Sequence, residues 1–449
     1  MKYDSIIIGF GKGGKTLAGF LASKGEKIAL IEKSPKMYGG TCINIACLPS
    51  KNLVKNSDKV SKMDLSYEEK NIKFKESIKE KSEMVSMLNK KNYNKLASLD
   101  NVDVIDGFGS FVDRNTVKVE TKDGDIEILG EKIFINTGAK TSFPKLEGIK
   151  DNKFVYDSEG IMELEELPKK LTIIGASYIS IEFASIFSGF GSEVVVLDRR
   201  DEFLKREDRD IAQEIKSQLE NRGVSIYQNA STTKIENDKV FYKQDGKEKY
   251  IEDTIILLAT GRKPNIEKLN LEAAGVEIAE SGLIKVDKHL KTTAENIWAI
   301  GDVCERQQFT YISLDDYRII KSTLAGDGSY NLEERKNVPY SMYVTPTFSR
   351  VGLSEEEAKK NGINYKIKTM KTAEIPMAHV IGKPEGMLKA LVDENSNKIL
   401  GVMLLCENAH ELINIVKLAM DMDADYTVLR DNIYTHPTMA ESFNDLFNL

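Results

Sequence analysis

The chain has 449 residues, 41% of them hydrophobic and 30% charged, with a formal net charge of −7. At roughly 150 residues per domain that suits about three globular cores, and the acidic balance argues against nucleic acid or an anionic membrane as partner. No apolar run reaches a membrane span, residues 1–4 lead straight into a strand with no room for a signal peptide, and four cysteines are too few for a disulfide framework. The expectation is a cytoplasmic protein with no nucleic-acid or membrane partner.

The first predicted unit is strand, glycine turn, helix, strand. Residues 5–8 run into Gly9-Phe10-Gly11-Lys12-Gly13-Gly14, a helix follows over 15–23, and a strand over 27–31 ends on Glu32. Glycines at this spacing allow a tight turn and the approach of a pyrophosphate, and the helix N-terminus supplies amide donors. Glu32 stands where an acid binds ribose hydroxyls. A glycine-rich turn that binds nothing is the plainer reading, and it leaves the acid unexplained.

The stretch Gly39-Gly40-Thr41-Cys42-Ile43-Asn44-Ile45-Ala46-Cys47-Leu48-Pro49-Ser50-Lys51 holds two of the four cysteines. A structural metal site needs four ligands, and no second Cys/His cluster supplies them. In a regular helix, positions i and i+5 have Cα atoms ~8.6 Å apart, beyond the roughly 4.4–6.8 Å of a disulfide. A redox pair therefore requires a backbone break between Cys42 and Cys47; two unrelated buried cysteines are the alternative. Residues 52–98 are Lys- and Glu-rich, with Met84, Met87 and Leu88 at helical spacing, and predict a packed helix pair. Residues 101–111 and 116–120 predict strands of a small antiparallel insert. The apolar strand 133–139 ends in Thr137-Gly138, where backbone could close over a nucleotide.

After residue 167 the pattern restarts. Strand 171–174 meets Gly175-Ala176-Ser177-Tyr178-Ile179-Ser180, a helix follows over 181–188, and strand 193–197 ends on Asp198. Gly175 and Asp198 are as far apart as Gly9 and Glu32, so a second nucleotide-binding domain is expected. Ser177 and Ser180 stand where glycines are expected, which predicts weakened or altered binding. The unit closes on an apolar strand and Thr260-Gly261-Arg262. Beyond Gly301-Asp302, Cys304 and Cys406 read as structural or incidental. A third domain begins near residue 337, with strands 388–393 and 398–405, an amphipathic helix 410–420 and no glycine-rich turn. The chain ends with His436-Pro437 and Glu441, a carboxylate placed to orient the imidazole.

Together these motifs resemble the class I pyridine nucleotide–disulfide oxidoreductases, which include glutathione reductase, lipoamide dehydrogenase and mercuric reductase. The resemblance implies an α/β fold: an FAD domain (1–145 and 265–335), an NAD(P) domain (146–264) and a C-terminal α+β dimerisation domain (336–449) in a homodimer. It implies that Cys42 is the thiol meeting substrate and Cys47 the thiol by the flavin. His436 and Glu441 are then base and orienter donated by the partner subunit, and Lys51 and Glu182 the pair near flavin and nicotinamide. FAD would be held by Gly9, Gly11, Gly14, Glu32, Gly40, Thr41, Lys51, Thr137, Gly138, Gly301, Asp302 and Thr310. NAD(P) would be held by Gly175, Ser177, Tyr178, Ile179, Glu182, Asp198, Arg199 and Gly261, with Tyr178 covering the empty nicotinamide pocket. No metal is implied. Reducing equivalents would pass from NAD(P)H to flavin, to the disulfide, to substrate.

Within that family the run 308–319 (QFTYISLDDYRI), with 340–353 and 436–446, is similar to bacterial reductases of reactive-chlorine resistance, including hypothiocyanous acid reductase. The expected activity is reduction of a small oxidant such as hypothiocyanous acid. The alternatives are a lipoamide or other low-molecular-weight disulfide reductase, and a flavin-binding redox sensor with a decayed nicotinamide half. Asp198 leans the cofactor choice to NADH, because a carboxylate repels a 2′-phosphate, while Arg199 and Arg200 could instead grip that phosphate as NADPH binds.

Overall fold

Tyr3, Ile6, Ile7 and Ile8 are all buried, and a strand apolar on both faces belongs inside a parallel sheet. In the computed structural model, which describes residues 1–305 and 307–449, Lys2–Ile8 pairs in parallel with Ile28–Glu32 and with Gly124–Ile135. Val102–Asp106 extends the sheet beyond Ile28–Glu32, and Ile297–Ala299 pairs with the end of Gly124–Ile135. The start of Gly124–Ile135 folds back on Thr116–Thr121, itself antiparallel to Phe108–Phe111. The sheet has seven strands.

This corrects the expected separate insert. Val102–Asp106 is a strand of the main parallel sheet, and only the two strands after it are antiparallel. The cause lies in Gly124–Ile135, whose first half alternates towards solvent while Ile133, Phe134 and Ile135 are fully buried. One strand thus serves both hairpin and core. The helix after the first glycine turn runs over Lys12–Ser23, earlier than its apolar pattern alone suggests. These elements belong to one compact unit, formed by Met1–Asn52, Ile78–Phe143 and Gly261–Arg335.

The second unit comprises Leu53–Ser77, Pro144–Thr260 and Lys336–Leu449. Its parallel sheet orders the strands Val224–Tyr227, Glu193–Leu197, Lys170–Ile174, Ile255–Leu258 and Val155–Tyr156. Gly175 (φ +101°) repeats the conformation of Gly9 (φ +107°) in the first unit. A Cβ at Gly175 would lie 2.8 Å from the Ala259 carbonyl oxygen, and one at Gly9 would lie 2.3 Å from that of Asn136. In both turns the closing strand presses on the first glycine, and no other residue fits. Both sheets are Rossmann-like, and the rest of this unit is α+β. Its antiparallel sheet orders Tyr340–Met342, Phe348–Gly352, Ile399–Leu405, Met387–Asp393 and Tyr365–Lys371. Helix Ala409–Asp421 buries Leu412, Ile413 and Val416 against it. Among the described residues, no helix is long and apolar enough to cross a membrane.

Lys389 ties strand Met387–Asp393 to the start of helix Arg209–Asn221. Its side chain is 2% exposed, and its ammonium bonds Asp208 at 2.9 Å, Asp210 at 3.0 Å and Glu355 at 2.9 Å. Removing one partner of a buried pair strands the other's charge. Lys389→Met is expected to destabilise the protein by about 3–5 kcal/mol, read as a lowered urea midpoint.

Candidate active site

The stretch 39–51 is broken between its two cysteines. Helix Thr41–Asn44 stops, Ile45 takes φ −138°, and helix Cys47–Val60 begins at Cys47 itself. Both cysteines are free, partly buried thiols, near enough for each to shift the other's pKa. Cys47 Sγ also lies 3.8 Å from Thr310 Oγ1. Cys47 pulls the Cys42 thiol down to about 6 against the cost of burial, helped by Thr310 and by the charges of Lys51 and Lys15. Cys47 moves the other way, raised by Cys42 and by its own burial. The pair releases its first proton well below the ordinary thiol range and keeps its second.

Lys15 escaped the sequence reading. Its ammonium donates to the Gly39 carbonyl at 3.3 Å and to Asn92 Oδ1 at 2.5 Å. Burial, with Lys12 nearby, lowers its pKa to about 8. A lysine directly after a glycine turn is the only signal the sequence offers.

The expected FAD residues gather in the first unit. Glu32 is buried, its carboxylate accepting the Phe10 amide at 3.0 Å and the Ser34 amide at 3.2 Å. Burial raises its pKa and these amides pull it back. Gly40 approaches the first glycine turn so closely that a Cβ on it would lie 2.7 Å from Gly11 Cα. Asn136, unrecognised in the sequence, accepts the Gly14 amide at 2.9 Å and donates to the Ile300 carbonyl at 2.8 Å. It thereby joins the glycine turn to the strand end before Gly301-Asp302. The Gly138 carbonyl accepts the Asn265 amide at 2.8 Å. Thr137 Oγ1 is buried without a hydrogen-bond partner, and burial raises the pKa of Asp302. An orphaned hydroxyl and a desolvated carboxyl suit the polyol and phosphate oxygens of FAD, so the residues fit that cofactor. Thr41 opens its short helix, and Lys51 lies one turn beyond Cys47, its ammonium 3.4 Å from Ser50 Oγ.

In the second unit the two serines have a local role. The Ser177 amide donates to Ser180 Oγ at 3.1 Å, and the two hydroxyls lie 3.2 Å apart. Together they cap helix Tyr178–Phe190. The Tyr178 hydroxyl donates to Glu207, and its ring stacks on Tyr340 at 5.4 Å. Glu182 accepts the Tyr343 amide at 2.8 Å. Ile179 is half-buried and Arg199 exposed. Asp198 is not free: its carboxylate takes the Arg200 Nε at 3.0 Å and Nη2 at 3.1 Å, and that same Nη2 reaches the Ala176 carbonyl at 2.8 Å. Gly261 belongs to the first unit, where its carbonyl accepts the Ser142 amide at 2.9 Å.

His436 Nδ1 and Glu441 Oε2 lie 2.8 Å apart, with the imidazole 73% exposed. The Glu441 carboxylate thus meets one ring nitrogen of an exposed imidazole. Lys51 and the thiols belong to the first unit, Glu182 and His436 to the second. Cys304 and Cys406 are buried. Among the described residues, no group of three or more His, Cys, Asp or Glu is placed to hold a metal ion.

The family described as pyridine nucleotide-disulphide oxidoreductase matches residues 3–322, and its dimerisation domain matches residues 338–447. The chain is 47% identical over 448 residues to the probable pyridine nucleotide-disulfide oxidoreductase RclA of Escherichia coli, covering 100% of this chain and 99% of that one. It is 32% identical over 449 residues to a mercuric reductase of Lysinibacillus sphaericus, covering 98% and 81%. A solved structure, the Cu(II) complex of HOCl-induced flavoprotein disulfide reductase RclA from Escherichia coli, matches with a TM-score of 0.94 at 47% identity, covering 100% and 99%.

Two outcomes are expected from this geometry. The thiolate is the reactive form, so alkylation of the reduced pair by iodoacetamide should be nearly level above the Cys42 pKa of about 6. Below it the rate should fall about tenfold per pH unit; a midpoint near an ordinary thiol's, about 8.5, would contradict the pull of Cys47. In the second corner Arg200 offsets the repulsion of a 2′-phosphate by Asp198. Discrimination between NADH and NADPH should then stay within about tenfold, the scale of a half-exposed ion contact. Arg200→Ala, by freeing Asp198, should move the kcat/KM ratio towards NADH.

Proposed function

This chain belongs to the pyridine nucleotide-disulphide oxidoreductase family, and we propose that it is a reductase of a small, electrophilic oxidant, hypothiocyanous acid foremost. It is a flavoprotein oxidoreductase that uses FAD and a pyridine nucleotide. FAD, when bound, accepts hydride from the nicotinamide and passes the electron pair to the cysteines. The observation that carries the reading is the helix break at Ile45, which leaves Cys42 and Cys47 as free, partly buried thiols with Thr310 beside Cys47, where Cys47 draws the Cys42 pKa down. The Cys42 thiolate attacks the sulfur of hypothiocyanous acid, forming a mixed disulfide as hydroxide leaves and takes the Cys47 proton to become water. Cys47 then attacks Cys42 Sγ, thiocyanate departs, and the disulfide is ready for the next electron pair. A small oxidant can reach a partly buried thiolate, and the solved relative is an HOCl-induced reductase.

The reading has His436, oriented by Glu441, hold the proton exchanged with Cys42. It is supplied by a second copy of the chain, as the dimerisation domain supports. Ile415, Leu418 and Met422, exposed at helical spacing, and the exposed Ile433 are apolar groups that such a homodimer would cover. Lys51 and Glu182 are proposed to flank flavin and nicotinamide, and residues 1–145 with 265–335, 146–264 and 336–449 to act as FAD, NAD(P) and dimerisation domains.

The test is steady-state reduction of hypothiocyanous acid beside lipoamide, glutathione disulfide, Hg²⁺ and Cu²⁺. The expected result is the highest kcat/KM with hypothiocyanous acid, lost in Cys42→Ser and Cys47→Ser, and slowed ~10²–10⁴-fold in His436→Ala as for a general acid–base group. Preference for any of the others would overturn the substrate. Turnover of none of them would favour a redox sensor.

A further inference from the structure

Helix Thr310–Ala325 carries Thr310, Ser313 and Asp316 three residues apart, a spacing that lines side chains along one helix face. Thr310 meets Cys47 Sγ at 3.8 Å, Ser313 Oγ accepts the Gly13 amide at 3.1 Å, and Asp316 Oδ2 accepts the Gly301 amide at 2.6 Å. The helix sits directly on the glycine turn, since a Cβ at Gly13 would lie 2.4 Å from the Ser313 carbonyl oxygen. One face thus touches the redox thiol, the first glycine turn and the turn before Asp302.

The carboxylate among the three is the costly one. Asp316 is 0% exposed, and a buried charge persists only when paired. Arg335 supplies the pairing: its guanidinium bonds Asp316 and also reaches Asp315 at 2.7 Å and Glu305 at 3.2 Å. Tyr330 donates to Asp315 at 3.0 Å. Apolar residues of similar volume are often as stable as such a cluster. What they would not supply is an acceptor for the Gly301 amide.

We propose that Ser313, Asp316 and Arg335 are positioning residues of the flavin site. Ser313 and Asp316 hold the Gly13 and Gly301 amides, and Arg335 holds Asp316. The inference rests on the flavin cradle described above. Burial pushes the Asp316 carboxyl up to about 7, with Arg335 and the Gly301 amide pulling it back and Glu305 opposing them. The buried Cys304 also faces this carboxylate, and Asp302 lies near Cys304. Mild acid therefore discharges Asp316, releases Arg335 and loosens the hold on Gly301.

The test is FAD dissociation from the holoprotein, followed by flavin fluorescence between pH 5.5 and 8.5 (about one and a half units either side of neutrality). Wild-type protein should lose FAD faster as pH falls through about 7, whereas Asp316→Asn should release it at the acid-limit rate at every pH. Arg335→Met should resemble Asp316→Asn. Ser313→Ala, a milder change that guards against misfolding of the others, should weaken FAD by a pH-independent factor. Each loss should be roughly 10–100-fold, the range for a hydrogen bond to a charged group, and smaller for Ser313. Glu32 and Asp302, the other desolvated acids of the cradle, are kept in all variants and drop out of the comparison. Variants that melt earlier yet keep the wild-type FAD affinity and pH slope would overturn the proposal. Failure of the wild type to bind FAD would instead remove the cradle.

Discussion

One proton shared by Cys42 and Cys47 is the interaction on which the candidate chemistry depends. Sharing it requires two side chains five positions apart to touch, and a regular helix cannot bring them together. The chain therefore stops one helix at Asn44 and starts another at Cys47. The glycines before Cys42, the lysine beneath Gly39 and the threonine beside Cys47 all serve that break. Gly40 lets the turn reach the glycine loop, Lys15 bonds the Gly39 carbonyl, and Thr310 faces Cys47 Sγ.

The two nucleotide-binding sheets show how one backbone solution accepts different charge. Both first glycines are pressed by a closing strand, and both second strands lead to an acid. At Glu32 the partners are backbone amides, which leave the carboxylate able to take two hydroxyls. At Asp198 the partner is a guanidinium two residues later, which neutralises the acid and props the turn through the Ala176 carbonyl. Geometry is repeated while electrostatics are not.

The same contrast explains what was legible in the sequence. Gly9, Glu32, Gly175 and Asp198 could be read because turn geometry and strand ends impose residue types at fixed spacing. The break between the two cysteines was legible, because a pair at that spacing cannot meet on an unbroken helix. Asn136, Ser313, Asp316 and Arg335 could not be read, because their partners lie on other elements and a polar residue carries no periodic signature of its own. Arg200 was visible as a charge, but its pairing with Asp198 depends on where a loop turns. Val102–Asp106 was misplaced because short alternating strands look alike in parallel and antiparallel sheets until their neighbours are known.

The strand Gly124–Ile135 has a consequence for how the chain is made. Its end is flanked by Lys2–Ile8, already synthesised, and by Ile297–Ala299, which emerges only after all of Pro144–Thr260. During translation the first sheet therefore waits with an open, strongly apolar edge while an intervening sheet forms on its own. An edge of that kind is a template for wrong pairing, and domains that are complete early fold as they emerge. The intervening segment closes its own sheet from local strands, so the first sheet begins before that one and is completed after it. Slow synthesis or crowding at the ribosome would expose this protein to aggregation through that one edge, long before any cofactor could bind.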